Sequence, residues 1–518
     1  MSLIMNSGMN RRSFLKTTAA TAIAVSLPLS GATAAPKRGG NLRIGIGHGQ
    51  TTDTLNPGTF ENEFIIGLSF AVHGRMVEVA ADGSFIPEVA ESWEASPDAV
   101  VWRFKLREGM TFHSGKPVTA EDVVASINFH RGEDSISAAG PIVAEIKTIT
   151  IEDGDTIVFE LAGGNADFPF ALTDFHLTIM PAKGDTVDWK SGNGCGSYTL
   201  KSFKPGVSAT LERNPNHWRD DVAWFDSIEM LALVDLNART AALVSDDIDI
   251  ADRLDLKTVN LLARNQNIEI NEVAGTQHFT FAMSTNQAPY DNNHVRLALK
   301  HAINRQEMVD KILFGYGSVG NDIPVGQGQR FYNTELEQRT YDPDKAKWHL
   351  QQAGMDSLSV SLSAADAAFA GAVDAGVLFQ NSAKAAGINL EVVREPNDGY
   401  WSDVWMTKPF SAVYWSGRPV MDQMFTTAYT CGASWNDTFW CNERFEELLV
   451  AARAELDDTK REAMYFEIQE IVHNDGGAII PMFANYVFGT SKKIGKPEVI
   501  ASNSDLDGNR WAERWWFV

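Results

Sequence analysis

The chain is poor in basic residues for its 518 residues: 44 Lys and Arg against 67 Asp and Glu, a formal charge of −23. So acidic a surface repels nucleic acid and anionic lipid, which sets both aside as partners. Cysteine is scarce as well, with Cys195, Cys431 and Cys441 alone. A disulfide-stapled mini-protein and a cysteine-rich metal module are thereby excluded. No uninterrupted apolar run reaches the length of a membrane span. Tandem repeats, low-complexity segments and Pro/Ser-rich linkers are missing too. Enzyme signatures are equally absent: no Walker loop, no strand-bounded Gly-x-Ser-x-Gly elbow, no His-Glu-x-x-His pair. The spacing Gly315-Tyr-Gly-Ser-Val-Gly320 matches a dinucleotide fingerprint. It follows a helical pattern, however, whereas a phosphate cradle must follow a strand and open a helix. The eleven histidines are dispersed, and no metal or cofactor is expected.

What is present begins at the N-terminus. Asn10-Arg-Arg-Ser-Phe-Leu-Lys16 is a twin-arginine pattern, followed by a mildly apolar stretch and by Ala32-Thr-Ala34, small residues at the positions a signal peptidase reads. Residues 1–34 therefore read as an export signal cleaved near Ala34, and the remainder as a periplasmic chain that is not membrane-inserted. The segment carries Arg11, Arg12 and Lys16 and no acid, so its removal takes the charge from −23 to −26. An anion site in such a protein must be built locally, against the long-range field. About 480 residues exceed one typical core, so two lobes or more are expected.

Periodicity indicates a mixed α/β chain. Asn41 to His48 and Val100 to Arg107 alternate like strands, and Thr119-Ala-Glu-Asp122 opens a helix with Val123, Val124 and Ile127 inward. Short strands are expected at 148–151, 156–161, 198–203 and 209–213. One helix is expected from a cap at Asp291 to Asn293 through Leu313, stopping at Gly315. Another lies between Asp342-Pro343 and Gly354, and 442–473 reads as mostly helical. An apolar strand runs from Ala478 to Gly489. Cys431 and Cys441, ten residues apart in an exported chain, invite a disulfide. Cys195 reads as buried rather than reactive.

These segments together resemble a family. PEVAESWEASPD (87–98), WRFKLREG (102–109) and FHSGKPVTAEDV (112–123) are its most diagnostic run. Gly39-Gly-Asn-Leu42, Leu55-Asn-Pro57, LERNPNHW (211–218) and VRLALKHAINR (295–305) fit as well. Gly194-Cys-Gly-Ser-Tyr198 fits with departures at Cys195 and Ser197. The chain is similar to the extracytoplasmic solute-binding proteins of ABC importers, in the dipeptide-, oligopeptide- and nickel-binding class (family 5). The resemblance implies a two-lobed periplasmic-binding-protein-like clamp of class II (cluster C) type, with no chemistry done on the ligand. Lobe I would take 35–278 and 487–518, with an inserted subdomain roughly over 70–200, and lobe II would take 279–486. Strands would cross between the lobes near Gln277 to Ser284 and near Pro481 to Gly489. A monomer is implied, with a small-molecule or short-peptide ligand and the importer's permease subunits as partners.

The ligand is addressed by WSGRPVMDQMF, residues 415–425. Peptide-binding relatives place an aspartate three residues after a tryptophan, to pair with the ligand's α-ammonium. Three residues after Trp415 stands Arg418, which can grip a carboxylate or phosphate with two parallel charge-assisted hydrogen bonds. An anionic, opine-like, N-blocked or acidic-peptide ligand is one expectation. The alternative is an ordinary peptide whose ammonium is held by Asp422 after a short register shift. Tyr414, Trp435, Asn436, Tyr400 and Trp401 are the other candidate ligand residues from lobe II, and Gln50, Thr51 and Thr52 those from lobe I. An exported enzyme and a chemoreceptor-coupled sensor stay as remoter readings.

Overall fold

The computed structural model describes residues 36–518 apart from 133–134, 185, 397–399 and 419. The export signal and the expected cleavage near Ala34 lie outside the described residues. Two large sheets and a smaller third organise the chain. The first has seven strands in the order Tyr198–Lys204, Ser208–Arg213, Ser227–Ala232, Asn41–Ile46, Ile250–Ala251, Tyr486–Ser491 and Ile268–Val273. Asn41–Ile46 sits at its centre, parallel to both neighbours. Its alternating Leu42, Ile44 and Ile46 are buried, as the period-two pattern requires.

The second sheet has six strands, ordered Gly317–Val319, Ala478–Ala484, His278–Met283, Phe410–Trp415, Leu358–Ala364 and Ile388–Arg394. His278–Met283 is buried along its whole length, which explains its near-continuous apolar sequence. The third sheet is antiparallel: Ala90–Ala95, Val101–Leu106, Thr156–Leu161 and Ile146–Glu152. It has its own core, in which Phe104, Phe112, Val123, Ile127, Phe159 and Phe168 pack together. Helix Ala120–Asn128 lies on it, and its first turn is fixed by Asp122, which accepts hydrogen bonds from the Thr119 backbone and hydroxyl.

The chain passes twice between the two large sheets, once from Val273 to His278 and once from Ala484 to Tyr486. The apolar run from Ala478 to Gly489 is thus two strands in two sheets, not one. The two crossings lie backbone against backbone: a Cβ on Gly275 would stand 2.2 Å from the Ala484 carbonyl oxygen. No other residue fits there.

The one helix expected through Leu313 is also divided. Asn293–His301 and Arg305–Ile312 replace one long helix, because the Asn304 side chain accepts from the Glu307 amide and starts a second one. The stretch expected to be mostly helical over 442–473 is two helices, Glu443–Ala454 and Asp458–Asp475, the second started by the Asp457 side chain. Elsewhere the caps fall where the sequence puts them, as at Asp342 before Pro343–Gln352. Cys431 and Cys441 form a disulfide, and Cys195 is buried with its thiol pushed up to about 12 by that burial.

Candidate ligand-binding cleft

A cavity of about 1390 Å³ opens between the lobes. The second lobe contributes the segment after strand Phe410–Trp415. Trp415 pairs with His278 in the sheet and is buried, so the chain leaves the strand at a fixed point. Gly417 follows because Thr276 fills the space its side chain would need: a Cβ there would lie 1.6 Å from the Thr276 hydroxyl. Gln329 then donates to the Arg418 carbonyl at 2.9 Å. This delivers Arg418 to the cavity wall, where it also borders a second, 750 Å³ space.

Among the described residues the Arg418 guanidinium donates only to carbonyls of its own turn, Ser416 at 3.1 Å and Gly417 at 3.4 Å. Among the described residues no carboxylate lies within ion-pair distance of it. Burial holds its pKa below the ordinary guanidinium value, the response of a cation short of counter-charge. Asp422 also lines the cavity, yet it is committed: Arg453 donates Nε to both of its oxygens at 3.1 Å.

The aromatic candidates divide. Trp435 is half exposed, lines the cavity and packs at 6.2 Å against Trp415. Tyr414 and Trp401 are partly exposed and meet edge to face at 5.6 Å, outside the cavity lining. Tyr400 is buried, with its hydroxyl donating to the Ser363 and Ala412 carbonyls. Asn436 is likewise buried; its amide donates to the Tyr429, Thr430 and Trp440 carbonyls and so shapes the disulfide-closed loop that presents Trp435. Asp437, beside it, accepts from the Trp405 indole, and burial raises its carboxyl to about 6. Gln50, Thr51 and Thr52 sit on an exposed turn, packed near Gly206 and away from the cavity lining.

The first lobe supplies residues that the sequence reading did not single out. Glu63, Arg253, Asp505 and Asn509 line the same cavity. Glu63 opens helix Glu63–Val72, capped by Asn62. Burial and the neighbouring Asp505 push its carboxyl up to about 7. Arg253 reaches Glu63 at 3.7 Å and Asp505 at 4.0 Å, and donates to His48 at 3.1 Å. The only sequence trace of this wall is the turn-rich Asp505-Leu-Asp-Gly-Asn509, which carries no indication that Glu63, more than 400 residues earlier, would meet it.

Residues beside the third sheet close the far side. Asp167 forms a buried ion pair with Arg461, and the Ala166 amide donates to the Arg453 carbonyl at 2.6 Å. Glu145 and Asn165, hydrogen-bonded to each other at 2.9 Å, complete that wall. No group of three or more His, Cys, Asp or Glu side chains among the described residues is arranged to hold a metal ion. Nor is any described helix long and apolar enough to cross a membrane.

Comparison with known proteins agrees with this architecture. The family described as bacterial extracellular solute-binding proteins, family 5 Middle, matches residues 84–437, and a twin-arginine translocation signal matches residues 8–28. The probable D,D-dipeptide-binding periplasmic protein DdpA of Escherichia coli (strain K12) is 26% identical over 93% of this chain and 95% of its own. Among solved structures, the periplasmic binding protein DppA of Helicobacter pylori in complex with peptide STSA superposes with a TM-score of 0.71. It is 22% identical, over 93% of this chain and 98% of that one. The binding protein AgaA from A. tumefacien R10, in complex with agropinic acid, gives 0.72 at 21% identity over 92% and 99%. The two-lobed clamp, the cleft between its lobes and the export signal therefore have one assignment: the chain belongs to the family 5 bacterial extracellular solute-binding proteins, periplasmic binding components of ABC importers for peptides or related ligands.

Proposed function

We propose that this protein captures a small peptide-like or amino-acid-derived solute whose anionic group is held by Arg418, and delivers it to the permease subunits of its importer. The observation that carries the reading is the contrast within residues 415–425. Arg418 faces the cavity with, among the described residues, only its own turn's carbonyls as partners, while Asp422 is paired with Arg453. A carboxylate placed on Arg418 would supply the counter-charge that burial makes valuable. Trp435 offers a flat apolar surface beside it. Agropinic acid and a peptide, the ligands of two structural neighbours, both carry carboxylates and fit this description. Closure of the lobes on such a ligand would give the permease its recognition signal, since only the liganded state gains contacts from both walls.

The alternative, an ordinary peptide whose ammonium rests on Asp422, requires that ammonium to displace or share the Arg453 guanidinium. The two readings separate by measurement. Mass spectrometry of the solute released from purified protein identifies the ligand, and its recovery intact rules out turnover. Arg418→Ala is then expected to weaken its binding about 10- to 100-fold, the worth of a charge-assisted hydrogen-bonded pair. Wild-type affinity in Arg418→Ala, with loss in Asp422→Ala, would reverse the assignment.

A further inference from the structure

The first-lobe wall of the cleft carries an unbalanced charge. Three carboxylates meet there, Glu63, Asp252 and Asp505, against two guanidiniums, Arg239 and Arg253. Arg239 is spent on Asp252 at 3.1 Å and on backbone carbonyls. Arg253 stands 3.7 Å from Glu63 and 4.0 Å from Asp505, with its side chain half exposed. One negative charge is left over, at a place where all three carboxylates are buried.

Three acceptor atoms there have no hydrogen-bond partner among the described residues, Asp252 Oδ2, Glu63 Oε1 and Asn509 Oδ1, and the last two belong to residues that line the cavity. Glu63 and Asn509 are 8% and 2% exposed. The Asn509 amide nitrogen donates to Ser504 and also supplies a hydrogen bond to the Glu63 carboxylate, which leaves the Asn509 oxygen as the free end. The backbone that brings them together is itself unusual. Leu506, Asp507, Gly508 and Asn509 all have positive φ, from 49° to 64°. A left-handed turn of this kind costs about 1–2 kcal/mol per non-glycine residue. It sets Asp505, held by the Leu506 amide at 2.8 Å, and Asn509 against the Glu63 side chain. A surplus negative charge and two unpaired buried acceptors facing one cavity are what an ammonium, with three donors and one positive charge, would satisfy.

We propose that Glu63, Asp505 and Asn509 form a cation subsite that takes the terminal ammonium of a peptide-sized zwitterion, opposite the arginine that holds its carboxylate. This rests on the assignment of Arg418 to the anionic group. It places the ligand's amino end on the first lobe and its acid end on the second, so that the ligand bridges the lobes by charge. The raised pKa of Glu63 agrees with it: without a cation, a proton supplies part of the missing positive charge.

The test uses calorimetry at pH 7.5 with trialanine, N-acetyl-trialanine and trialaninamide, on the wild-type protein, Glu63→Gln and Arg418→Gln. Wild type is expected to bind trialanine, and to lose about tenfold or more in affinity on acetylation and on amidation alike. Glu63→Gln abolishes the acetylation penalty and keeps the amidation penalty, and its retained binding of N-acetyl-trialanine shows that it is folded. Arg418→Gln does the converse. A wild-type protein indifferent to acetylation, or a Glu63→Gln protein that still discriminates, overturns the cation subsite while leaving Arg418 in place. An amidation penalty unchanged in Arg418→Gln overturns the carboxylate assignment instead. Failure of wild type to bind any of the three overturns the zwitterion itself.

Discussion

Arg453 donates its Nε to both oxygens of Asp422, at 3.1 Å each, and its Nη2 to Thr426 at 2.5 Å. The pair joins helix Glu443–Ala454 to helix Met421–Ala428 in the cavity wall. Burial alone would favour a neutral Asp422, and it does raise that carboxyl, but the guanidinium opposes the shift. Asp422→Asn should therefore act on the fold before it acts on the ligand. Breaking a buried pair costs about 3–5 kcal/mol; with Arg453 still 28% exposed, about 2 kcal/mol is expected here. Urea unfolding measures it. An Asp422→Asn protein as stable as wild type but unable to bind would make the aspartate a ligand contact.

The ion pair of Asp167 with Arg461 joins the region of the small antiparallel sheet to the helix Asp458–Asp475. Together with the amide of Ala166 on the Arg453 carbonyl, it fastens the cleft at one edge. Asp167→Asn should leave each lobe folded and favour opening. Small-angle scattering of the unliganded protein is expected to give a larger radius of gyration than wild type, and ligand dissociation should quicken about tenfold, the effect of roughly 1.4 kcal/mol. Identical scattering curves and off-rates would mean the pair is only a local contact.

How much of this was legible in the sequence follows from where the information lies. Local chemistry was readable: the Thr119 cap, Pro343 at a helix start, the Cys431–Cys441 disulfide, the alternating strand at Asn41. The break at Asn304 escapes the sequence because the apolar stripe continues across it, while the cap that interrupts it is a single side chain; the mostly helical reading of 442–473 leaves room for the break at Asp457. The one strand expected from Ala478 to Gly489 is two because apolar periodicity does not say which sheet a strand joins. The spacing from Trp415 singles out Arg418 as a candidate, and the structure sets it in the cavity wall. Glu63 and Asp505 in the facing wall are neighbours only by tertiary folding, which spacing does not report. Tyr400 and Asn436, flagged for their place near Arg418 in sequence, have hydrogen bonds that turn them into the packing behind the site.

The pH response of Glu63 has a definite sign. Its folded pKa, about 7, lies above the ordinary 4.5, raised by burial and by Asp505. The folded protein then holds a proton that the unfolded chain has released between those values. The group's stabilising contribution is complete below about 4.5 and is lost as pH rises through 7. Glu63→Gln removes this dependence. Relative to wild type the variant should gain about 3 kcal/mol between pH 4.5 and pH 7.5, a gap of some 2.5 units at 1.36 kcal/mol each. Chemical denaturation of both proteins at the two values checks it. An equal stability difference at both would show that Glu63 ionises normally in the folded state.

The last prediction concerns the loop that presents Trp435. The disulfide closes ten residues, and in the chain-entropy model that restriction of the unfolded state is worth about 3 kcal/mol. Within the loop, Asn436 alone fastens three carbonyls, so part of the shape should survive without the covalent bond. The double variant Cys431→Ser, Cys441→Ser is expected to lose about 2–3 kcal/mol of stability by urea unfolding. Its ligand affinity should fall only a few-fold, through looser placement of Trp435. Cys195 provides an internal control. Buried, with its thiol pushed up to about 12, it should resist labelling by an aromatic disulfide reagent in the native double variant and react fully in urea. Rapid native labelling would mean that the first lobe opens around Cys195, and the stability loss could then not be assigned to the Trp435 loop.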